Sequence, residues 1–252
     1  MKRVLVLVYG LVCYLIFFPV FLYLFGFMAD LWVPFSVSRG GEPAAGAGDV
    51  LFDLGLMALF GVQHSVMARP TFKRWWTRIV PKPAERSTFV LITSAILIYT
   101  YASWRPLGSV IWDLSGTPVE PVLWAVFAAG ALVVLASSFM INHFDLFGLR
   151  QVWLYFQGRQ YTAVPFRITG FYKWVRNPLM LGFLLAFWAA PVMTWGRLLY
   201  AGGMSLYIFI GMWFEERNIA EALGEPYRTY RASTSMILPG FRKAGKTVKD
   251  GV

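Results

Sequence analysis

Apolar residues run almost unbroken through six stretches, 4–28, 50–67, 88–104, 121–141, 178–195 and 198–214, and polar residues collect between them. A helix needs about 20 residues to cross hydrocarbon. The first and fourth stretches exceed that length, while the second and third fall slightly short. The last two are joined by little more than Gly196-Arg197, a pattern that predicts a tight helical hairpin, one that need not cross the whole bilayer. The fold expected is all-α, a polytopic membrane helical bundle of five to six transmembrane helices with the last two as a hairpin. The chain reads as one integral-membrane domain: four spans in 1–141, a cytoplasmic segment at 142–177, the hairpin and a C-terminal motif in 178–240, and a basic tail at 241–252.

Charge in the connections predicts the orientation. Residues 68–87 hold Arg69, Lys73, Arg74, Arg78, Lys82 and Arg86 against Glu85, and residues 142–177 hold Arg150, Arg159, Arg167, Lys173 and Arg176 against Asp145. Residues 29–49 have Arg39 against Asp30, Glu42 and Asp49, and 105–120 have Arg105 against Asp113 and Glu120. Positive loops stay on the cytoplasmic side, so this alternation places both termini inside, with the tail cations Arg242, Lys243, Lys246 and Lys249.

Of 252 residues, 58% are hydrophobic and 14% charged, which excludes an ordinary soluble domain. The net charge of +10 lies beside apolar spans, so anionic membrane lipids explain it more cheaply than nucleic acid does. Cys13 is the single cysteine, which removes disulfides and thiolate metal sites. The run after Met1-Lys2-Arg3 is too long for a signal peptide, carries Pro19 and lacks a small-residue cleavage site, so it reads as a retained span. Gly40 to Gly48 reads as a flexible external loop, and 245–252 as a disordered end. The aromatics Trp153, Tyr155, Phe156, Tyr161, Phe166, Phe171 and Trp174 argue for order in the long 142–177 segment.

Two polar motifs bracket the hairpin. The first is Gly170-Phe-Tyr-Lys-Trp-Val-Arg-Asn-Pro-Leu-Met-Leu-Gly182, and the second runs from Glu215-Glu216 through Gly224 and Tyr227 to Tyr230. Their order and spacing resemble isoprenylcysteine carboxyl methyltransferases and phospholipid N-methyltransferases, with G-x-Y-x-x-x-R-H-P-x-Y-x-G followed by E-E-x-x-L-x-x-x-F-G-x-x-Y-x-x-Y. The family's histidine is Asn177 here and its second tyrosine is Met180. Asparagine carries no charge, so proton transfer is not expected at that position. Residues 61–70, Glu85-Arg-Ser87 and 142–152 more narrowly resemble bacterial methanethiol S-methyltransferases, themselves close to NnrU-like membrane proteins. That resemblance implies a cytoplasmic-face pocket for S-adenosylmethionine, leaving as S-adenosylhomocysteine, and methanethiol as the acceptor, giving dimethyl sulfide. It also implies the bacterial inner membrane and requires no protein partner.

The resemblance places the cofactor against Tyr172, Arg176, Asn177, Pro178, Leu179, Met180, Glu215, Glu216, Tyr227 and Tyr230. A guanidinium binds a carboxylate with two parallel hydrogen bonds, so Arg176 is the expected clamp for the donor's carboxylate. Glu215 and Glu216 would end the last span, where a carboxylate opposes the helix dipole and calls for a partner: ribose, ammonium or Arg176. Asn177 and Pro178 have the chemistry of a helix start. A thiol attacks as thiolate, so the acceptor side needs a base or a positive field. His143 or Asp145 would take the proton, with Arg150 or His64 supplying orientation or field. A structural role competes, with Asp145 capping the turn at 146–148 and His143 resting at the interface. Two further alternatives stand: a lipidic acceptor, and a haem protein with His64 and His143 as axial ligands.

Overall fold

The computed structural model describes residues 1–40 and 46–239; most of the expected external loop and the whole basic tail lie outside the described residues. The helices are α1 (Lys2–Ala29), α2 (Ala47–Ala68), α3 (Pro70–Trp76), α4 (Glu85–Ser103), α5 (Val119–Ile141), α6 (His143–Leu146), α7 (Leu149–Phe156), α8 (Pro178–Trp188), α9 (Trp195–Leu223) and α10 (Glu225–Ser233). Strands β1 (Val110–Asp113) and β2 (Val192–Thr194) pair antiparallel and interrupt the helical pattern at one end. The chain is a polytopic helical membrane protein: α1, α2, α5 and α9 are each long and apolar enough to cross a bilayer.

Helix α4 has the length, at 19 residues, but is more polar than those four. Its hydroxyls turn inward on their own helix, Thr88 donating to the Ala84 carbonyl at 2.9 Å, Thr93 to Phe89 at 2.9 Å and Ser94 to Val90 at 2.8 Å. Such back-bonding satisfies a hydroxyl where water is absent. Helix α8 is only 11 residues, about 16 Å at 1.5 Å per residue.

Short as α8 is, the hairpin reaches the β end. The turn lies at 189–194, not at Gly196-Arg197, which belong to the first turn of α9. The Leu114 amide donates to the Pro191 carbonyl, Trp195 to Ser109 and Gly196 to Leu107, so the turn is tied to the 104–118 connection. Buried Arg197 then closes this end, donating to the Val192 carbonyl at 2.7 Å and to the Met28 carbonyl, with Asp30 at 3.4 Å. The connections at 30–38, 104–118 and 189–194 therefore form one layer, the grouping that the charge alternation predicts for the first and third loops.

Close helix contact brings α8 into the bundle against α5. A Cβ added at Gly182 would meet the Gly130 carbonyl oxygen at 2.7 Å and the Val134 amide at 2.8 Å, and Gly130 is equally tight against Gly182 and Ala186. Small residues at a crossing let backbones approach where lipid supplies no hydrophobic drive between helices. The main core lies beside this crossing, where Phe27, Met28, Tyr101, Trp104, Phe187, Tyr200 and Met212 interlock.

Gly182→Val should therefore force α5 and α8 apart, at about 1–3 kcal/mol. A lowered melting temperature in detergent, with Gly202→Val as an open-space control, is the measurement that checks it.

Candidate functional site

At the end opposite the β pair, the chain after α5 folds into α6, α7 and an extended segment, then a 3-10 turn at Gly170–Lys173 that delivers Arg176 to the start of α8. Pro178 occupies the first turn of α8 after Asn177, as helix-entry chemistry predicts, although the Asn177 side chain makes no capping bond. Its Nδ2 is buried without a hydrogen-bond partner. An unpaired buried amide donor costs about 1–3 kcal/mol, so it marks a place where a ligand acceptor would be welcome. Leu179 is half-buried, and Met180 packs on the main core.

Glu215 and Glu216 do not end the last span. The segment after Phe214 is rich in helix formers, and α9 continues to Leu223, where Gly224 at φ 65° stops it. What allows a carboxylate inside this helix is Arg176. Its Nε donates to Glu216 Oε1 at 2.7 Å and a terminal nitrogen lies 2.6 Å from the same oxygen, with side chains 9% and 3% exposed. Arg231 approaches Glu216 Oε2 at 3.4 Å from the solvent side.

The other Arg176 terminal nitrogen donates to the carbonyls of Arg231, at 3.0 Å, and Thr234. The Arg176 and Asn177 amides donate to the Ser235 and Met236 carbonyls at 2.8 and 3.1 Å. Tyr230 donates to the Tyr172 carbonyl at 2.6 Å, and Tyr227 and Tyr230 pack against Phe166. Arg176, Glu216, Tyr227 and Tyr230 thus converge as expected, but on one another, and they strap residues 225–236 across the start of α8.

Glu215, one residue earlier, points elsewhere. It is exposed, with Arg86, Tyr172 and Tyr207 in electrostatic range. Burial, with Tyr230 and Glu215 nearby, raises the Tyr172 phenol above its ordinary value, so it stays protonated. His64 enters from α2, stacked on Phe60 and 4.9 Å from the Phe89 ring centroid, and its Nδ1 is buried without a partner. Arg86 carries its guanidinium 5.2 Å from the other side of this contact, the same Phe89 ring. Arg86 lies in Glu85-Arg-Ser87, one of the stretches that carry the methanethiol S-methyltransferase resemblance, and is otherwise marked in the sequence only as a cation of the 68–87 connection.

The remaining candidates lie in the 142–162 segment. Asp145 pairs with Arg150 at 2.9 Å and accepts from Tyr161 at 3.2 Å, while Arg150 also reaches the Thr162 carbonyl at 2.7 Å. The turn is capped by Asn142, whose side chain accepts from the Asp145 amide at 3.1 Å. His143 is 2% exposed, stacked on Phe139, with Nε2 hydrogen-bonded to the Tyr14 hydroxyl and Nδ1 to the Ser138 hydroxyl, each at 2.8 Å. Both ring nitrogens are engaged, which leaves none free to share an axial position with His64. Among the described residues no cluster of three or more His, Cys, Asp or Glu side chains is arranged to hold a metal ion.

Fold and site together define an integral-membrane helical bundle with the Arg176–Glu216 pair, Glu215, Arg86, His64 and the strap residues at the end opposite the β pair. The family described as NnrU protein matches residues 53–245, and the chain belongs to that family. It is 49% identical over 239 residues to the Methanethiol S-methyltransferase of Mycobacterium tuberculosis, covering 95% of this chain and 98% of the relative. It is 42% identical to the protein of that name from Crocosphaera subtropica, over 96% and 95% of the two chains. A Nurim homolog from Drosophila pseudoobscura pseudoobscura is more distant, 25% identical over 76% of this chain and 78% of its own. No solved structure matches.

Removing one partner of a buried ion pair typically costs about 3–5 kcal/mol, because the other charge is stranded. Arg176→Ala should fall at the lower end, since Arg231 still approaches Glu216, and residues 225–236 should become protease-sensitive. The double variant Arg176→Met with Glu216→Leu should melt higher than Arg176→Ala alone.

Proposed function

We propose that the protein methylates methanethiol with S-adenosylmethionine, releasing dimethyl sulfide and S-adenosylhomocysteine at the cytoplasmic face of a bacterial inner membrane, with both termini inside. The observation that carries this reading is the near-full-length identity to relatives named for that reaction, in a chain where His64, Asn177 and Glu216 leave buried polar atoms without partners at the end opposite the β pair. That end is the one with the cationic loops, where a polar nucleoside would arrive from the cytosol.

S-adenosylmethionine supplies a methyl group on a positively charged sulfur. The chain's own residues fit such a molecule: Asn177 Nδ2 offers an unmet donor, Tyr172 a protonated phenol, and the exposed Glu215 a carboxylate in electrostatic range of that phenol. Arg176, Glu216, Tyr227 and Tyr230 hold that wall in place through the strap. An apolar groove of about 780 Å³ between α5, α8, α9 and residues 235–238 backs onto the same strap and can receive a small, membrane-partitioning thiol.

The thiol proton must leave before attack. His64 takes it, because its Nδ1 is unengaged among the rings of Phe60, Phe89 and Tyr207, whereas both nitrogens of His143 are already bonded. His143 positions α5 against α1, and the Asp145–Arg150–Tyr161 group holds the 142–162 segment over the opening.

Calorimetric titration of detergent-purified protein with S-adenosylhomocysteine should show binding. Headspace analysis should find dimethyl sulfide from methanethiol, and no methylated prenylcysteine or phosphatidylethanolamine under the same conditions. His64→Ala should lower kcat by about 10²–10⁴, the usual contribution of a positioned base, with the S-adenosylhomocysteine Kd unchanged. Unaltered turnover in that variant would remove His64 as the base.

A further inference from the structure

The hydrogen-bond directions around His143 fix where its proton sits. Ser138 Oγ lies 2.6 Å from the Leu135 carbonyl oxygen and 2.8 Å from His143 Nδ1. A carbonyl oxygen accepts and cannot donate, so the single hydroxyl hydrogen of Ser138 must point to Leu135. Ser138 therefore has only a lone pair to offer the ring, and Nδ1 carries a hydrogen and donates it. Nε2, 2.8 Å from the Tyr14 hydroxyl, is then the acceptor of a neutral imidazole, with Tyr14 donating. The Tyr14 hydroxyl makes no other hydrogen bond among the described residues.

A second proton on this ring has no place to go. A hydrogen on Nε2 would face the Tyr14 oxygen, and the phenolic hydrogen turned away from it would need an acceptor. Around Tyr14 lie the rings of Phe17, Phe18 and Phe144, with centroids at 6.1, 5.9 and 6.4 Å. His143 itself is 2% exposed, stacked on Phe139 at 4.2 Å, with the Phe147 ring at 4.8 Å. Charged groups on the elements packed around it are engaged elsewhere. Asp145, on its own helix, is held by Arg150 of α7 and by Tyr161, and Arg86 of α4 donates from Nε to the Leu146 carbonyl. Helices α1 and α5 present Tyr14, Ser138 and aromatic rings. Burial accordingly keeps the imidazole below its ordinary pKa.

We propose that His143 is a positioning residue that works as a proton-sensitive latch: neutral and fixed with its hydrogen on Nδ1, it fastens the 142–150 turn to α1 and α5, and protonation releases it. The latch bears on the functional end because the turn it holds presents the Leu146 carbonyl to Arg86 Nε at 2.7 Å and Phe147 to Phe17 at 4.1 Å. A released His143 regains its ordinary pKa of about 6.5. The closed turn is thus most stable above that value, and its closed-to-open ratio drops by up to about tenfold per pH unit below it.

Two measurements on the full chain in detergent test this. Neither needs substrate, so their outcome is separate from the methyl-transfer reading. Nitrogen-15 NMR at about pH 7.5, above the ordinary imidazole pKa, should show His143 with hydrogen on Nδ1 and a bare Nε2. Hydrogen on Nε2, alone or together with Nδ1, would overturn the assignment. Deuterium exchange of the 142–150 amides, corrected for its intrinsic pH dependence, should quicken by about tenfold between about pH 6.5 and 5.5 in the wild-type chain. His143→Gln, whose amide oxygen still accepts from Tyr14 but does not titrate, should change by less than about twofold. An equal acid response in that variant would overturn the latch, as would a wild-type turn indifferent to pH. Should His143→Gln fail to fold, His143→Asn, whose amide nitrogen still donates toward Ser138, carries the comparison.

Discussion

The ion pair between Arg176 and Glu216 is the contact on which the rest of this end of the molecule depends. It joins the start of α8, the last third of α9 and the segment after α10 through one guanidinium, and it does so almost wholly out of solvent. Without a cation at that point, a carboxylate in the body of a mostly apolar helix would be untenable. With it, α9 can run on past Phe214 as far as Leu223. The pair is better understood as fixing geometry than as adding net stability, because desolvation of both ions offsets much of their attraction.

A second constraint lies at the opposite end. The β pair, Arg197 and the carbonyls around Met28 and Val192 tie three connections into one layer. Together with the Gly130–Gly182 crossing, this lets an 11-residue helix serve where its neighbours use more than 20 residues. The bundle is thus tied together at the β end, while at the other end His64 and Asn177 keep buried nitrogens without a partner.

The spans with continuous apolar runs were legible in the sequence, and α1 and α5 fall within a few residues of 4–28 and 121–141. The hairpin turn was misplaced because Gly-Arg resembles loop chemistry, whereas Arg197 is buried by partners from residues far away in sequence. The end of α9 was misplaced for the same reason: Phe-Glu-Glu-Arg-Asn reads as a stop unless Arg176, 40 residues earlier, is known to arrive. Helix entry at Asn177-Pro178 was legible because it is local. The hydrogen bonds of His143 to Tyr14 and Ser138, and the position of Arg86, were not, since each depends on which helices end up side by side.

Glu215 and Glu216 are neighbours in sequence with unrelated surroundings, one exposed and the other buried and locked to Arg176. Successive residues on an α-helix diverge by about 100° around the axis. Helix α9 therefore acts as an indexing shaft, with the β-end layer setting its rotational zero and the two carboxylates read off at fixed bearings. One residue gained between Arg197 and Phe214 would bring Glu215 round to the bearing opposite Arg176, and one lost would leave Arg176 facing no carboxylate, while the composition of the span stayed almost untouched.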